Sequence, residues 1–143
     1  MTVEIHAFNS RHFNEARNLW EFTEGVGLSE ADSQRSIDAF LQRNPGLSFV
    51  AVEGEKLVGT ILVGHDGRRG LIHHLAVAPA CRRRGIGARL VRDGLAALKD
   101  AGIQKCHLLV FSNNSRARSF WQALGAEHRE ALIIYSLPTQ SES

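Results

Sequence analysis

The sequence lacks the features that announce a metal centre, a membrane span or a covalent scaffold. It contains two cysteines, three prolines, one methionine and one tyrosine in 143 residues. Cys81 and Cys106 stand in different contexts, without a Cys or His partner at zinc-ligand spacing, so reduced thiols are expected rather than a disulfide. The seven histidines form no His-Glu-x-x-His pattern, and no metal is expected. No run approaches the ~18 consecutive apolar residues of a transmembrane helix. Met1 to Ser10 has no basic region leading into an apolar run, so no secretory signal is expected and the location is expected to be cytoplasmic, away from the membrane. Charge of extreme sign is also missing. With 43% hydrophobic and 22% charged residues, the chain is not of the disordered class, and its length suits a single domain, residues 1–143, with its own core.

The net charge of +2 conceals a division. Residues 1–66 carry five Lys/Arg against ten Asp/Glu. Residues 68–92 carry seven arginines (68, 69, 82, 83, 84, 89 and 92) and no acid. Such asymmetry points to one segment that meets an anion.

Hydrophobic periodicity supplies the element order. Val3, Ile5 and Ala7 alternate as a first strand. Phe13, Ala16, Leu19 and Trp20 share a face of a helix over 11–24, with Asn9 or Ser10 as its cap. Ser29, with Asp32 three residues on, starts a second helix with Ile37, Phe40 and Leu41 inward, and Asn44-Pro45-Gly46 ends it. Three consecutive antiparallel strands follow at 48–53, 56–65 and 71–77. The helical period returns from Gly85 to Gly102, where Gly94 costs roughly 1 kcal/mol against Ala unless a close backbone contact explains it. Residues 105–111 read as a strand, 114–124 as a helix closed by Gly125, and 126–130 with 131–137 as a final pair of strands. The result is a mixed α/β domain with a mostly antiparallel central sheet of about seven strands and four flanking helices.

The stretch from Val77 to Ala88 joins a strand to a helix through a basic, glycine-containing loop. A helix N-terminus offers unpaired N–H groups and partial positive charge, and Gly85 and Gly87 let an anion approach the backbone. The loop is neither a P-loop, for want of Gly-Lys-Ser/Thr, nor a dinucleotide fingerprint, for want of a third glycine and a ribose-binding acid.

Arg82-x-x-Gly85-x-Gly87 resembles the [Gln/Arg]-x-x-Gly-x-[Gly/Ala] signature of the GNAT superfamily of N-acetyltransferases. Leu75-Ala76-Val77-x-Pro79 resembles its lead-in. Val110-x-x-x-Asn114-x-x-Ala117-x-x-Phe120-Trp121-x-x-x-Gly125-Ala126 resembles its second motif, and the element order is similar over residues 3 to 137. The stretch from Val58 to Gly70 looks like short bacterial members of the YpeA type.

The resemblance implies acetyl-coenzyme A as co-substrate. Its pyrophosphate would rest on Arg82, Arg83, Arg84, Gly85, Ile86, Gly87 and Ala88. Its pantetheine would run between strands 71–77 and 105–111, which splay apart, and pair with Leu75, Ala76 and Val77. Asn114, Ala117 and Trp121 would line the arm and thiol end, although Asn114 also reads as a helix N-cap. The implied reaction is direct acetyl transfer to a primary amine, of a small molecule or a peptide, in a ternary complex, with the Val77 N–H as oxyanion donor.

The base and acid are less well marked. Leu109 stands where some members carry a Glu. His73 lies in a His-x-Leu-Ala-Val context similar to that of serotonin N-acetyltransferase, so the candidate bases are His73 first and His74 second. Strand alternation places one on each face. Trp121 replaces a tyrosine common in the family and cannot donate a proton as an acid. Tyr135, near the end of the last expected strand, is the remaining candidate acid. The amine would meet the first two helices and the loops near 22–36 and 65–70, where Glu21, Glu24, Glu30 and Asp32 form an acidic rim. Two other classes compete: an acyl-CoA-binding sensor without catalysis, favoured by the missing Glu and Tyr, and a nucleic-acid module, disfavoured by the lack of stacking aromatics. The expected assembly is a monomer or homodimer.

Overall fold

The computed structural model describes residues 2–140 and divides the chain into two compact units, Met1–Phe111 and Ser112–Ser143. In the first unit the segments of period two become a five-stranded sheet. Its strands are β1 (Val3–Ala7), β2 (Phe49–Glu53), β3 (Lys56–His65), β4 (Gly70–Val77) and β5 (Cys106–Leu108), and their spatial order follows the chain. The first three pairings are antiparallel and β4–β5 is parallel. A parallel pair requires a crossover, and the helix α3 (Ile86–Asp100) supplies it.

Alternation along β3 sorts the helices onto two faces. Thr60 accepts a hydrogen bond from the Trp20 indole at 2.8 Å, and a Cβ at Gly64 would meet Phe40 and Asn44. Thr60 and Gly64 therefore face α1 (Phe13–Glu21) and α2 (Gln34–Arg43). Gly59, Ile61 and Val63 face α3: a Cβ at Gly59 would meet Leu90, and one at Gly94 would stand 3.0 Å from Val63 Cγ2 and 3.5 Å from Ile61 Cδ1. That contact accounts for a glycine inside α3, because a methyl group there would press on β3. Phe8, Phe13, Ala16, Trp20, Ile37, Leu62 and Ala76 belong to the cluster beneath α1 and α2.

The helix starts follow local capping chemistry. Asn9 caps a 3-10 turn at Ser10–His12 that leads into α1. Ser29 and Asp32 form the expected capping box, but it closes a 3-10 turn at Glu30–Asp32. Ser33 is extended, so α2 begins at Gln34, with the Ser33 hydroxyl accepting from Ser36 N–H at 3.1 Å.

In the second unit, α4 (Ser115–Ala123) is capped by Asn114, whose side-chain oxygen accepts from Ala117 N–H at 3.1 Å. Gly125 closes it at φ +91°. The expected strands at 126–130 and 131–137 are not formed, so the described residues hold five strands rather than about seven. Their backbone instead makes a local turn, Leu132 N–H to Arg129 carbonyl at 3.1 Å. Apolar alternation alone does not sustain a hairpin without further strands to complete its face.

Candidate active site

The register between β3 and β4 changes midway. Leu62 pairs with His73 and Thr60 with Ala76, so His74 and Leu75 together oppose Ile61. Such a bulge bends the strand and re-aims its side chains. His74 takes φ +46°, a left-handed conformation costing about 1–3 kcal/mol for a non-glycine residue. The expected alternation of the two histidines consequently fails. The His74 ring lies 4.7 Å from the Trp20 ring and the His73 ring 6.0 Å from that of Phe40, so both turn toward α1 and α2.

His74 is held on three sides. Its Nε2 lies 2.6 Å from Asp32 Oδ1. Thr60 Oγ1 donates to its carbonyl at 2.8 Å while receiving the Trp20 N–H. Asp32 is buried at 7% exposure. Its other oxygen accepts from Ser29 N–H at 3.0 Å, and its carbonyl accepts from Arg17 at 3.0 Å. Asp32 is thus an internal partner of His74 and not part of an acidic rim. Glu21 is exposed but bonded to Arg17 at 3.1 Å, which leaves Glu24 and Glu30 as the exposed acids of that group without an ion-pair partner among the described residues. The His73 ring has no hydrogen-bond partner among the described residues. Burial pushes its imidazole below the ordinary value, neighbouring His74 pushes the same way, and Asp32 opposes them.

Just before the bulge, β4 loses its parallel partner. The β4–β5 ladder covers Gly70–Cys106, Leu71–His107 and Ile72–Leu108 and then stops. The stretch His73–Val77, containing Leu75, Ala76 and Val77, has no strand beside that edge among the described residues. The expected strand at 105–111 is shortened to three residues accordingly.

The loop after β4 turns through Arg83 at φ +63° and Gly85 at φ +76°. The N–H groups of Arg83, Arg84, Gly85, Ile86, Gly87 and Ala88 meet no backbone acceptor among the described residues; the next, Arg89 N–H, bonds Gly85 carbonyl at 3.1 Å. Successive free amides with the helix dipole behind them form an anion nest. Arg82 Nε donates back to Val77 carbonyl at 3.2 Å and ties the loop to β4. Arg84 is turned away onto Glu53 at 2.5 Å; the pair holds the Glu53 carboxyl below its usual range and the Arg84 guanidinium above its own. Of the three consecutive arginines, Arg83 has no side-chain partner among the described residues.

Asn114, Ala117 and Trp121 belong to the second unit. Ala117 and Trp121 sit one turn apart on α4, and the Trp121 ring packs edge-on against Phe120 at 5.1 Å. Tyr135 lies in the irregular segment after Gly125 and not on a strand. The residue that sequence reading undervalued is Asp32. Its capping position was visible in Ser29-x-x-Asp32, whereas its approach to His74, 42 positions away, leaves no trace in spacing.

Residues 13–126 match the acetyltransferase (GNAT) family. The chain is 30% identical over 132 residues, 92% of each protein, to "Acetyltransferase SG1711" of Sodalis glossinidius (strain morsitans). Its fold is similar to that of AAC(6')-Iy, solved in complex with the bisubstrate analogue CoA-S-monomethyl-acetylneamine. There the TM-score is 0.77 at 20% identity, covering 96% of this chain and 99% of that one. It is also similar to PaiA N-acetyltransferase of Thermoplasma acidophilum, solved with coenzyme A, at a TM-score of 0.73, 22% identity and coverage of 87% and 89%. The chain belongs to the GNAT family of acetyltransferases.

Proposed function

We propose that residues 1–143 act as one domain that transfers an acetyl group from acetyl-coenzyme A to a primary amine, both substrates being bound together. The observation that carries this reading is the junction of two features: the unpaired edge of β4 from His73 to Val77 and the run of free amides from Arg83 to Ala88 that follows it after the 3-10 turn Pro79–Cys81. An extended amide-bearing arm can add to such an edge as a strand does, and phosphates suit such a nest. The residues present fit coenzyme A. Arg83 and the amides through Ala88 would hold its phosphates, and Leu75, Ala76 and Val77 its pantetheine. When bound, it supplies the acetyl group as an activated thioester. The Val77 N–H would steady negative charge developing on the acetyl oxygen. A protein of this kind needs no covalent acetyl-enzyme stage.

The test is thiol release from acetyl-coenzyme A across a panel of amines, paired with calorimetric titration of acetyl-coenzyme A. Binding with amine-dependent thiol release supports the reading. Binding without release on any amine replaces it with an acyl-CoA sensor, and failure to bind overturns both.

A further inference from the structure

We propose that His74, oriented by Asp32, is the base that takes the proton from the acceptor amine. This rests on the acetyl-transfer reading and assigns the group that reading leaves open. The two ring nitrogens of His74 have different surroundings. Nε2 lies 2.6 Å from Asp32 Oδ1, so it carries the proton and donates it to the carboxylate. Nδ1 is then the nitrogen with a free lone pair. Among the described residues it has no hydrogen-bond partner, and Asp38 Oδ1 is the one fully buried side-chain polar atom left unpaired. Nδ1 is therefore not fully buried, and the His74 side chain keeps 14% exposure.

The ring is also fixed in place. Asp32 cannot follow a moving imidazole, because its second oxygen is bound to Ser29 N–H and its carbonyl to Arg17. Trp20 covers one side of the ring, and Thr60 clamps the carbonyl of the strained residue. A left-handed, non-glycine residue persists only where its surroundings over-determine it. Here three partners hold that conformation at the first residues of β4 beyond its ladder with β5. His73 offers no equivalent: its ring rests against Phe40 and no acceptor fixes its tautomer. The titratable or charged groups set against His74 are Asp32, adjacent His73, and Arg17 on the Asp32 carbonyl.

The step balances as follows. An N–H bond of the acceptor ammonium breaks, its electron pair stays on nitrogen, and the proton joins the Nδ1 lone pair. The resulting imidazolium is stabilised by Asp32 through the Nε2–H bond. The amine lone pair then forms the N–C bond to the acetyl carbon as the C–S bond breaks; that pair leaves on the thiolate of coenzyme A, which takes the second proton from the acylated nitrogen to give the neutral amide and the free thiol. Asp32 touches no substrate in this scheme and is a positioning residue.

The experiment uses His74→Asn, because asparagine tolerates φ > 0 and removes the base. The expected result is acetyl-coenzyme A affinity within about twofold of the parent and a kcat lower by about a hundredfold or more, with the acid limb of the pH–rate profile gone. Asp32→Asn should lower kcat with little change in KM and move that limb. In His74→Gly, added imidazole should restore part of the rate. An unchanged limb in His74→Asn, or its loss in His73→Gln instead, overturns the assignment. Nitrogen NMR of the parent tests the pair independently of turnover. A neutral His74 protonated on Nε2 supports it, and one protonated on Nδ1 overturns it. A parent that turns over no amine counts against the acetyl-transfer reading, while the NMR result decides the pair.

Discussion

Thr60 is fully buried and serves two partners at once, receiving the Trp20 N–H and donating to the His74 carbonyl. Thr60→Val keeps the shape and removes both bonds. Leaving buried polar groups unpaired costs about 1–3 kcal/mol, so the variant should unfold at lower urea with an unchanged m-value. It should also loosen the bulge, seen as faster exchange of the amides of His74 and Leu75. His73 yields a pH prediction. Its imidazole is held below its ordinary value by burial, so the unfolded chain binds the proton more readily. Stability is then complete above the ordinary imidazole value of about 6.5 and declines as pH falls from there toward the folded value. His73→Phe keeps a ring against Phe40 and should flatten part of the decline in urea midpoint between pH 7.5 and 5.5. His12, lowered chiefly by its own burial, should account for some of the remainder. These residue-scale facts were the least legible in the sequence. Trp20 fell on the apolar face by periodicity, but nothing marked Thr60 as its partner. The histidines were read by strict alternation, and a bulge at His-His lacks the glycine that often signals one.

Elements were more legible, because their signals are local. The strand at Lys56–His65, the glycine start of α3 and the Asn114 cap of α4 all lie where spacing and capping chemistry put them. What failed was β5, shortened to Cys106–Leu108, and the final pair of strands. A strand needs a neighbour with which to form its ladder, which sequence pattern does not guarantee. Two glycines test the element-level account. Gly87 lies inside α3 with ordinary backbone, whereas Gly85 stands at φ +76°. Gly87→Glu therefore places a carboxylate in the amide nest without backbone strain, and acetyl-coenzyme A binding should fall below detection while the melting temperature holds. Gly85→Glu combines charge with a left-handed penalty of about 1–2 kcal/mol and should lose both affinity and stability. Retained affinity in Gly87→Glu would place the phosphates elsewhere. On β3, a Cβ at Gly64 would come within 2.9 Å of both the Phe40 ring and Asn44 Nδ2. That amide cannot swing aside freely, since Asn44 bonds Phe40 carbonyl and His65 N–H. Gly64→Ala should therefore destabilise by about 1–3 kcal/mol, read by chemical denaturation.

At the scale of the chain, the charge division visible in the sequence survives, but the structure changes which charges are available. Of the seven arginines between residues 68 and 92, Arg84 is committed to Glu53, Arg89 bonds the Val3 carbonyl at 3.2 Å, and Arg82 Nε bonds the Val77 carbonyl. The basic loop thus anchors itself to β2 and β4, and α3 anchors to β1, with part of the segment's charge. The acidic half is likewise depleted, because Asp32 turns inward to His74. Counting charges therefore overstates what a ligand meets, and the loop separates the two uses. Arg83→Gln removes a guanidinium with no protein partner and should weaken acetyl-coenzyme A binding by about three- to tenfold at low salt. That deficit should shrink at high salt, where exposed charges are screened beyond about 3 Å at 1 M. The double variant Glu53→Gln/Arg84→Gln removes an exposed pair without changing net charge and should leave affinity within about twofold, since such pairs contribute little. Calorimetric titration of both variants across ionic strength distinguishes the roles. If the double variant loses as much affinity as Arg83→Gln, Arg84 exchanges Glu53 for the phosphates on binding, and the loop holds its third arginine in reserve rather than as an anchor.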